Sequence, residues 1–282
     1  MLNLVTFATW RYEKSRQRLL HSAQKHGGIR CWNYSDKEFR KSEVFARYPS
    51  VTRTPRGAGL WLWKPYYILE VLKKLRDGEP LVYLDAGIEI VASLDPLIAL
   101  SEHNKGLTLF KVHERLNSQW TKRDCFVLMG CDSQEYRVTE QTMSGIIVMR
   151  KSPFLIDLVS EWLHFNSDAR IVSDLPNTCG LPNYDGFVSH RHDQSILNNL
   201  RVKYGIAGYT DPTQFGESYR AQAEQGVDDY PTLLNLHRER LPSWRTALKL
   251  IATDRRRFAL GVRQHMRRII GLISRKRGCL SD

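Results

Sequence analysis

Residues 81–90 read LVYLDAGIEI, and the rest of the chain is organised around them. A short apolar, β-branched run follows the turn signal DGEP in residues 77–80, which predicts a buried strand. The run ends at Asp85, and Gly87 then allows another backbone to approach closely. In open α/β sheets, ligands bind outside the carboxyl ends of the strands. Asp85 is therefore predicted to lie where a metal ion or a phosphate-bearing ligand is held.

The chain opens with a βαβ pattern. Residues 2–8 predict a first strand, residues 12–26 a helix, and residues 29–34 a second strand. This order implies a parallel sheet with a right-handed crossover. There is no GxGxxG sequence after the first strand, so the dinucleotide fingerprint is absent. The fold class is therefore α/β without that fingerprint.

Further strands are predicted in residues 107–112 and 141–149, with a short helix in residues 120–128 and another from Ser152-Pro153 to Trp162. Small side chains near predicted strand ends leave room for a planar base, a ribose or another part of a ligand. These side chains are Thr6, Ala8, Thr9, Ser144 and Gly145. For Thr6 alone, an ordinary strand threonine is an equally good interpretation.

A glycine-containing loop precedes a helix predicted from about residue 65 to residue 76. Arg56 and Lys64 lie on either side of Gly57, and backbone amides at a helix start favour anions. The loop is thus predicted to bind a diphosphate. The alternative is that Trp61 and Trp63 are core residues and Lys64 is a solvated helix start.

A polar cluster, His190, His192, Asp193 and Gln194, opens a helix predicted to run to about residue 204. It follows a long irregular segment, residues 168–187, which is predicted to be a substrate-side loop. The cluster is suited to contact a sugar, and the alternative is that Asp193 is an N-cap. The two histidines would point to different faces of a helix, which argues against zinc.

Composition narrows the class of protein. With 282 residues, 42% of them hydrophobic, the chain can bury a large core, so disorder of the whole is excluded. The five cysteines are odd in number and contain no CxxC pair, which indicates reduced thiols in a cytosolic protein. Neither secretion through a signal sequence nor insertion in a membrane is expected, because the first residues lack a basic region followed by an apolar core, and no apolar run is long enough to span a bilayer.

The positive charge is concentrated at the carboxyl end. Residues 238–282 carry thirteen Lys and Arg against three acidic residues, which is ten of the chain's net +12. Their apolar residues recur at spacings of three, four and seven, which predicts a basic amphipathic helix on an anionic membrane surface. A helix docked on the body is the alternative. Nucleic acid is not expected as a partner, because the cations are not interleaved with exposed aromatic residues.

Taken in order, these motifs resemble the bacterial and viral GT-A glycosyltransferases, and more distantly glycogenin and the lipopolysaccharide galactosyltransferases. The motifs are TFAT at residues 6–9, GAGLWLWKP at 57–65, YLDAG at 83–87, SG at 144–145, HDQS at 192–195 and HR at 237–238. The resemblance covers about residues 1–240. It implies a Rossmann-like, mixed and mostly parallel sheet flanked by helices in a domain of residues 1–240, with residues 241–282 as the basic helical extension.

The resemblance also implies a metal site, with one departure. Asp85 falls on the first aspartate of the Asp-X-Asp motif, Ala86 on its middle residue, and Gly87 replaces the second aspartate. Because glycine cannot bind a metal, three options stay open. Either Asp85 and His237 hold Mn²⁺ or Mg²⁺, or Glu89 is a further ligand if the strand continues that far, or the protein needs no metal.

The resemblance assigns the remaining residues to roles. Asp193 and Gln194, with His192, are expected at the catalytic centre facing the sugar or the acceptor. Asp85, Ala86 and Gly87 join the loop residues Arg56, Gly57, Trp61 and Lys64 on the donor side. Apart from the resemblance, Lys122, Arg123, His190 and Arg238 are predicted on the acceptor or sugar side.

The implied activity is sugar transfer from a nucleotide-sugar, UDP- or GDP-linked, to a glycan or lipid-linked acceptor in surface polysaccharide synthesis. The expected location is the cytoplasm, on the inner face of the cytoplasmic membrane. The alternative is a noncatalytic nucleotide- or glycan-binding protein with a degenerate metal motif.

Overall fold

The computed structural model describes residues 1–26, 28–222 and 230–237. Strands assigned within these residues are β1 Leu2–Ala8, β2 Ile29–Ser35, β3 Pro80–Leu84, β4 Ile88–Ile90, β5 Leu107–Leu116, β6 Glu140–Arg150, β7 Gly208–Tyr209 and β8 Leu234–Leu236. The predicted βαβ opening is confirmed, because β1 and β2 pair in parallel and one long helix connects them.

Six of the strands form one sheet in the order β2-β1-β3-β6-β5-β7. β1 is parallel to β2 and β3, and β7 is parallel to β5. Among the described strands of this sheet, only β6 runs antiparallel to its neighbours, β3 and β5. The sheet is therefore mixed and mostly parallel, as expected. β4 and β8 form a separate antiparallel pair.

Helices occur between most of the strands in the described residues. Their bounds are Glu13–Lys25, Asp36–Phe39, Glu43–Arg47, Pro49–Thr52, Trp63–Leu72, Asp95–Glu102, Asn117–Trp120, Arg123–Leu128, Gln134–Arg137, Pro153–Asn166, Ala169–Val172, Asp193–Lys203 and Glu217–Arg220. Short 3-10 turns occupy Trp10–Tyr12 and Gln214–Gly216. Residues Gly57–Leu60 also form a turn, but with left-handed backbone angles.

The sheet is buried on both faces. Successive strand residues point to opposite faces, so Val5 and Tyr83 belong to one hydrophobic cluster, and Leu4 and Val82 to the other. The first cluster contains the buried sides of helices Trp63–Leu72 and Pro153–Asn166. The second contains Leu19 of the first long helix. The result is a sheet between two helical layers, the arrangement expected of an α/β protein.

The central stretch, residues 81–90, is divided between two sheets. β3 ends at Leu84, where the Asp85 amide donates to the Gly145 carbonyl at 2.9 Å. The Ile88 amide then donates to the Asp85 carbonyl at 3.0 Å, which closes a turn before β4. The strand does not continue through Asp85, so the condition on which Glu89 would share a strand face with Asp85 is not met.

Two predicted elements differ in their bounds. The helix predicted over residues 120–128 is two short helices, because Thr121 and Lys122 between them have extended backbone. The predicted helix over residues 65–76 begins at Trp63 and ends at Leu72. Within residues 168–187 only Ala169–Val172 is helical, so the expected irregular loop is confirmed for most of that segment.

Two sequence predictions lie outside the described residues: the basic extension of residues 241–282 and the acceptor-side role of Arg238. Among the residues that are described, no helix is both long enough and apolar enough to cross a membrane.

Candidate active site

The carboxyl ends of β1 and β3 and the amino end of β6 lie at one edge of the sheet, and the candidate site is there. Asp85 follows β3, and Ser144 and Gly145 lie on β6. Lys64 comes from the start of helix Trp63–Leu72, and Asp193 is the first residue of helix Asp193–Lys203. The structure thus brings together five residues from four separate segments of the sequence.

Lys64 is the centre of this cluster. Its Nζ lies 2.7 Å from Asp193 Oδ2 and 3.6 Å from Asp85 Oδ1. It also donates to the Ser144 carbonyl and Oγ, each at 3.1 Å. Burial lowers the pKa of Lys64, but Asp193 and Asp85 more than offset this, so the pKa is raised overall. The ammonium group is therefore charged and holds two carboxylates together.

The two aspartates differ in exposure. The Asp193 side chain is 5% exposed, whereas the Asp85 side chain is 38% exposed. The Tyr83 hydroxyl donates to Asp85 Oδ1 at 2.5 Å, and burial, together with Asp85, raises the pKa of Tyr83 well above its usual value. Oδ2 of Asp85 faces Gly145, where an added Cβ would lie only 2.9 Å away. Asp85 is thus held at one oxygen and reaches solvent.

The loop before Lys64 has an unusual backbone. Five consecutive residues have positive φ: Gly57 at 60°, Ala58 at 52°, Gly59 at 97°, Leu60 at 48° and Trp61 at 60°. Left-handed angles cost a residue with a side chain about 1–2 kcal/mol. The amides of residues 58–62 all donate to carbonyls within residues 54–59. These five amides are engaged inside the turn, so they are not available to a diphosphate bound at the loop expected from the sequence.

The residue before Asp193 is strained as well. His192 has φ 55° and ψ −122°. Its Nδ1–H donates to the Val172 carbonyl at 2.7 Å, and its ring stacks on Trp61 with centroids 4.9 Å apart. Burial lowers the pKa of His192. Two strained segments therefore meet, through the Trp61–His192 stack and the Lys64–Asp193 ion pair. Strain of this kind is concentrated at functional sites.

The other predicted donor residues surround the cluster less closely. Thr6 is fully buried and donates to the Leu84 carbonyl at 2.8 Å, which supports the ordinary interpretation of this threonine. Ala8 is buried at the end of β1, and Thr9 is half-buried just after it. Arg56 is exposed and pairs with Asp174 at 2.6 Å.

The predicted acceptor residues Lys122 and Arg123 make internal contacts. Lys122 Nζ donates to the Leu175 carbonyl at 2.6 Å and lies 3.5 Å from Asp124 Oδ2. Arg123 pairs with Asp132 at 2.9 Å and stacks on the Tyr184 ring. These contacts fasten the irregular loop to the body.

His190 belongs to the same anchoring region. It is buried, and its Nδ1 accepts the Lys122 amide at 3.3 Å. Burial lowers its pKa well below the usual value. Gln194, one residue past Asp193, is half-buried and donates to Gln141 Oε1 at 3.1 Å. Of the two, only Gln194 is adjacent to the Lys64 cluster.

The metal options can be compared with the geometry. The His237 amide donates to the Gly87 carbonyl at 2.6 Å, which brings His237 beside the Asp85 turn, and its Nε2 lies 3.2 Å from Glu89 Oε2. Among the residues that the structure describes, no three His, Cys, Asp or Glu side chains are grouped as metal ligands. Mg²⁺ ordinarily takes one or two carboxylates and fills its shell with phosphate oxygens and water. Asp85 fits an ion that arrives with a diphosphate, and the set does not fit an ion held by protein alone.

Two residues of the cluster were not predicted as site residues. Tyr83 lies two residues before Asp85, so the period-two pattern of the predicted strand contained that signal. Asp174, the partner of Arg56, lies within the irregular loop, and nothing in its sequence context indicates the pairing.

Comparison with known proteins gives distant likenesses. No family model matches the chain, and no curated protein matches it. Among solved structures, an active-site mutant of LgtC is 13% identical with a TM-score of 0.44, over 83% of this chain and 86% of that one. Mouse xyloside xylosyltransferase 1 is 9% identical with a TM-score of 0.43, over 86% and 99%. The bifunctional glycosyltransferase WbbM is 14% identical with a TM-score of 0.43, over 71% of this chain and 37% of its own length.

Proposed function

We propose that this chain is a glycosyltransferase that moves a sugar from a nucleotide-sugar to a glycan or lipid-linked acceptor in surface polysaccharide synthesis. The observation that carries the proposal is the buried Lys64 ammonium, which joins Asp85 and Asp193 at the carboxyl edge of the sheet. Ligands of open α/β sheets bind at this edge. The order of motifs that resembles GT-A glycosyltransferases points to the same chemistry.

Lys64 acts mainly as a positioning residue in this mechanism. Its contacts are with protein oxygens, so its charge fixes both carboxylates before substrate arrives. One ammonium and two carboxylates leave the cluster with a net charge of about −1, which does not by itself attract a diphosphate. Further positive charge would come from Arg56 and from a divalent ion, which Asp85 with His237 would hold. When bound, Mn²⁺ or Mg²⁺ neutralises charge that develops on the leaving diphosphate.

Asp193 is the residue best suited to the reacting centre. Its carboxylate is desolvated and held at Oδ2 by Lys64, so it keeps a fixed orientation. If the reaction inverts the anomeric carbon, Asp193 takes the proton from the acceptor hydroxyl. If the configuration is retained, Asp193 orients the sugar. Gln194 extends the same polar edge through its bond to Gln141.

The test uses the full chain and a panel of UDP- and GDP-sugars. Calorimetric titration with UDP and GDP, with and without Mn²⁺, should show binding that the ion strengthens. Hydrolysis of one donor and mass spectrometry of products from several acceptors should then identify the sugar transferred. Nucleotide binding with neither hydrolysis nor transfer for any donor would favour the noncatalytic alternative, in which Gly87 marks a degenerate metal motif. Absence of nucleotide binding would contradict both.

Attachment to a membrane is a separate part of the proposal, and the charge of residues 238–282 supports it. Sedimentation with anionic vesicles should carry the full chain down, and high salt should release it because exposed charges are screened beyond about 10 Å at 0.1 M ionic strength. A chain ending at residue 242 should stay in solution and still glycosylate a short acceptor. A truncated chain that is insoluble or melts far lower would favour the docked helix.

A further inference from the structure

Two arginines stack on one tryptophan beside the candidate active site. The Arg115 guanidinium carbon lies 4.7 Å from the Trp120 ring centroid, and that of Arg191 lies 4.2 Å from it. Both arginines are exposed, and Trp120 is half-buried. These three residues, here called the arginine–tryptophan patch, have no role in the function proposed above.

Backbone features of β5 and of the segment before helix Asp193–Lys203 position the patch. β5 shifts register between Val112 and Leu116, and Glu114 in that interval has φ 62°, which redirects the strand at Arg115. The Arg191 amide donates to the Trp120 carbonyl at 3.1 Å. The Ser195 hydroxyl donates to the same carbonyl at 2.8 Å. The two arginines therefore reach the indole ring from elements whose positions are fixed.

Hydrogen bonds connect the patch to the candidate active site. Thr121, next to Trp120, has its hydroxyl bonded by the Gln141 amide group at 2.9 Å. Gln141 Oε1 accepts from Gln194 at 3.1 Å, and Gln194 follows Asp193. Arg191 is two residues before Asp193. A molecule held at the patch would therefore lie near the start of helix Asp193–Lys203, the helix that carries Asp193.

Stacking is compatible with anion binding by the arginines. A guanidinium that lies on an aromatic ring uses its flat face for that contact, and its N–H groups lie along its edge. Such an edge matches the two oxygens of a carboxylate or phosphate. Stacking also restricts the long side chain before a ligand arrives, which lowers the cost of ordering it on binding.

A stack of this kind is not sufficient to mark a site, because the chain has a second one. Arg30 and Lys74 lie 4.2 Å and 5.5 Å from the Trp32 ring centroid. Arg30 lies opposite Asn3 in the pairing of β2 with β1. This position is near the amino ends of the two strands, whereas the Lys64 cluster lies at the carboxyl ends. The two stacks share chemistry and differ in place, so the second is a matched control for the first.

We propose that the arginine–tryptophan patch is an acceptor subsite that binds an oxyanion, the carboxylate or phosphate of an acidic glycan acceptor. This inference rests on the proposed glycosyl transfer and narrows the acceptor to an anionic one. The acceptor hydroxyl then faces Asp193 while its acidic group is held by Arg115 and Arg191.

Direct binding tests the subsite without relying on transfer. The full chain is titrated calorimetrically with three disaccharides of the same linkage: a neutral one, one with a uronic acid, and one with a phosphate monoester. Tighter binding of either acidic form, by about tenfold or more, is expected, and the stronger of the two identifies the source of the oxyanion. Equal affinity for all three would overturn the proposal. UDP and GDP titrations on the same sample report the proposed function separately.

Single variants then locate the binding. Arg115→Gln and Arg191→Gln should each reduce affinity for the acidic disaccharide by about tenfold and leave affinity for the neutral one unchanged. Arg30→Gln removes the same charge from the matched stack and should change neither affinity. An equal loss from Arg30→Gln would show that overall charge, and not the patch, attracts the ligand, and would overturn the proposal. Melting curves for all three variants check that each is folded.

Discussion

Lys64 and Lys122 are both buried lysines that face aspartates, yet they are built into different surroundings. Lys64 lies between Asp193 and Asp85, and the Asp85 side chain is 38% exposed. Lys122 lies beside Asp124, whose side chain is fully buried. The Asp124 carboxylate also accepts the amides of Thr178 and Cys179 and the Thr178 hydroxyl. The first cluster still reaches solvent, whereas the second is saturated by its own loop.

The comparison shows that a buried ion pair does not by itself indicate a functional site. Burial and charge are common to both lysines. The differences lie in the exposed carboxylate, the position at the carboxyl edge of the sheet, and the strained backbone of residues 57–61 and His192. A cluster with these features can take a ligand, whereas the Lys122 pair holds a loop in place.

The largest effect is expected from Lys64→Met. Removing the ammonium leaves Asp193 buried without its cation, and breaking a buried pair in this way costs about 3–5 kcal/mol of unfolding free energy. Sugar transfer should be lost at temperatures where the variant remains folded. Urea unfolding measures the first effect and product formation the second.

The matched control is Lys73→Met, just after the same helix. Lys73 pairs with Glu70 at 3.6 Å, but the Lys73 side chain is 54% exposed and the Glu70 side chain 36% exposed. An exposed pair of this kind contributes about 0.3–0.5 kcal/mol. If the two lysine variants lost similar stability, Lys64 would not be the centre of a buried cluster.

The next largest effect is expected from Asp85→Asn, which should reduce sugar transfer and leave stability nearly unchanged. Because the Asp85 carboxylate is partly exposed, the fold should tolerate the amide, with melting close to that of the parent chain. Transfer should fall about 10²–10³-fold, the range for losing one electrostatic contact to a transition state. Asp157→Asn, on the exposed side of helix Pro153–Asn166, is the control. Normal turnover by Asp85→Asn would remove this residue from the mechanism.

Much of the candidate site could be read from the sequence because the signals were local. An apolar run that ends in a carboxylate and a glycine marks the end of β3 wherever the strand pairs. The small pair Ser144-Gly145 was also recognisable. The direction of β6 could not be predicted, because a hydrophobic run does not show whether its strand is parallel or antiparallel to its neighbours. This direction places Ser144 beside Lys64.

Other features depended on distant partners. The burial of Lys64 requires Asp193, 129 residues further along the chain. The left-handed angles of Ala58, Leu60 and Trp61 oppose the preference of L-residues, so no local pattern predicts them. Lys122 is predicted on the acceptor or sugar side, but Asp124 and the Leu175 carbonyl hold it inside. Its local sequence does not indicate this burial, because lysine is rarely fully buried.

Asp124→Asn should have the opposite effects to Asp85→Asn: it should reduce stability and leave donor binding nearly unchanged. The amide keeps the shape but removes the charge opposite Lys122 and weakens the bonds from residues 178 and 179. Hydrogen bonds to charged groups contribute about 1.5–3 kcal/mol, so a loss of unfolding free energy in that range is expected. Donor affinity, measured by calorimetry below the melting temperature, should be nearly unchanged. A large loss of donor affinity in a stable variant would contradict the structural role.

The smallest effect is a pH dependence of stability, because one buried histidine adjoins each lysine pair. His190 accepts the Lys122 amide, and His192 precedes Asp193. Burial lowers the pKa of both below the ordinary value of about 6.5. Below that pH the unfolded chain binds protons that the folded histidines do not. The free energy of unfolding should therefore fall as the pH decreases from about 7.5 to 5.

Single histidine variants measure how much the Lys64 and Lys122 regions each contribute to this pH dependence of stability. Each histidine contributes at most about 1.4 kcal/mol per pH unit, so His190→Asn and His192→Asn should each make the profile shallower by up to that slope. Urea unfolding at pH 5, 6 and 7.5 measures it, with exposed His21→Asn as the control. Because His192 packs on Trp61 and adjoins Asp193, His192→Asn should also slow transfer, whereas His190→Asn should change stability and leave transfer nearly intact. Equal loss of transfer from both variants would mean that the two lysine regions are one functional unit.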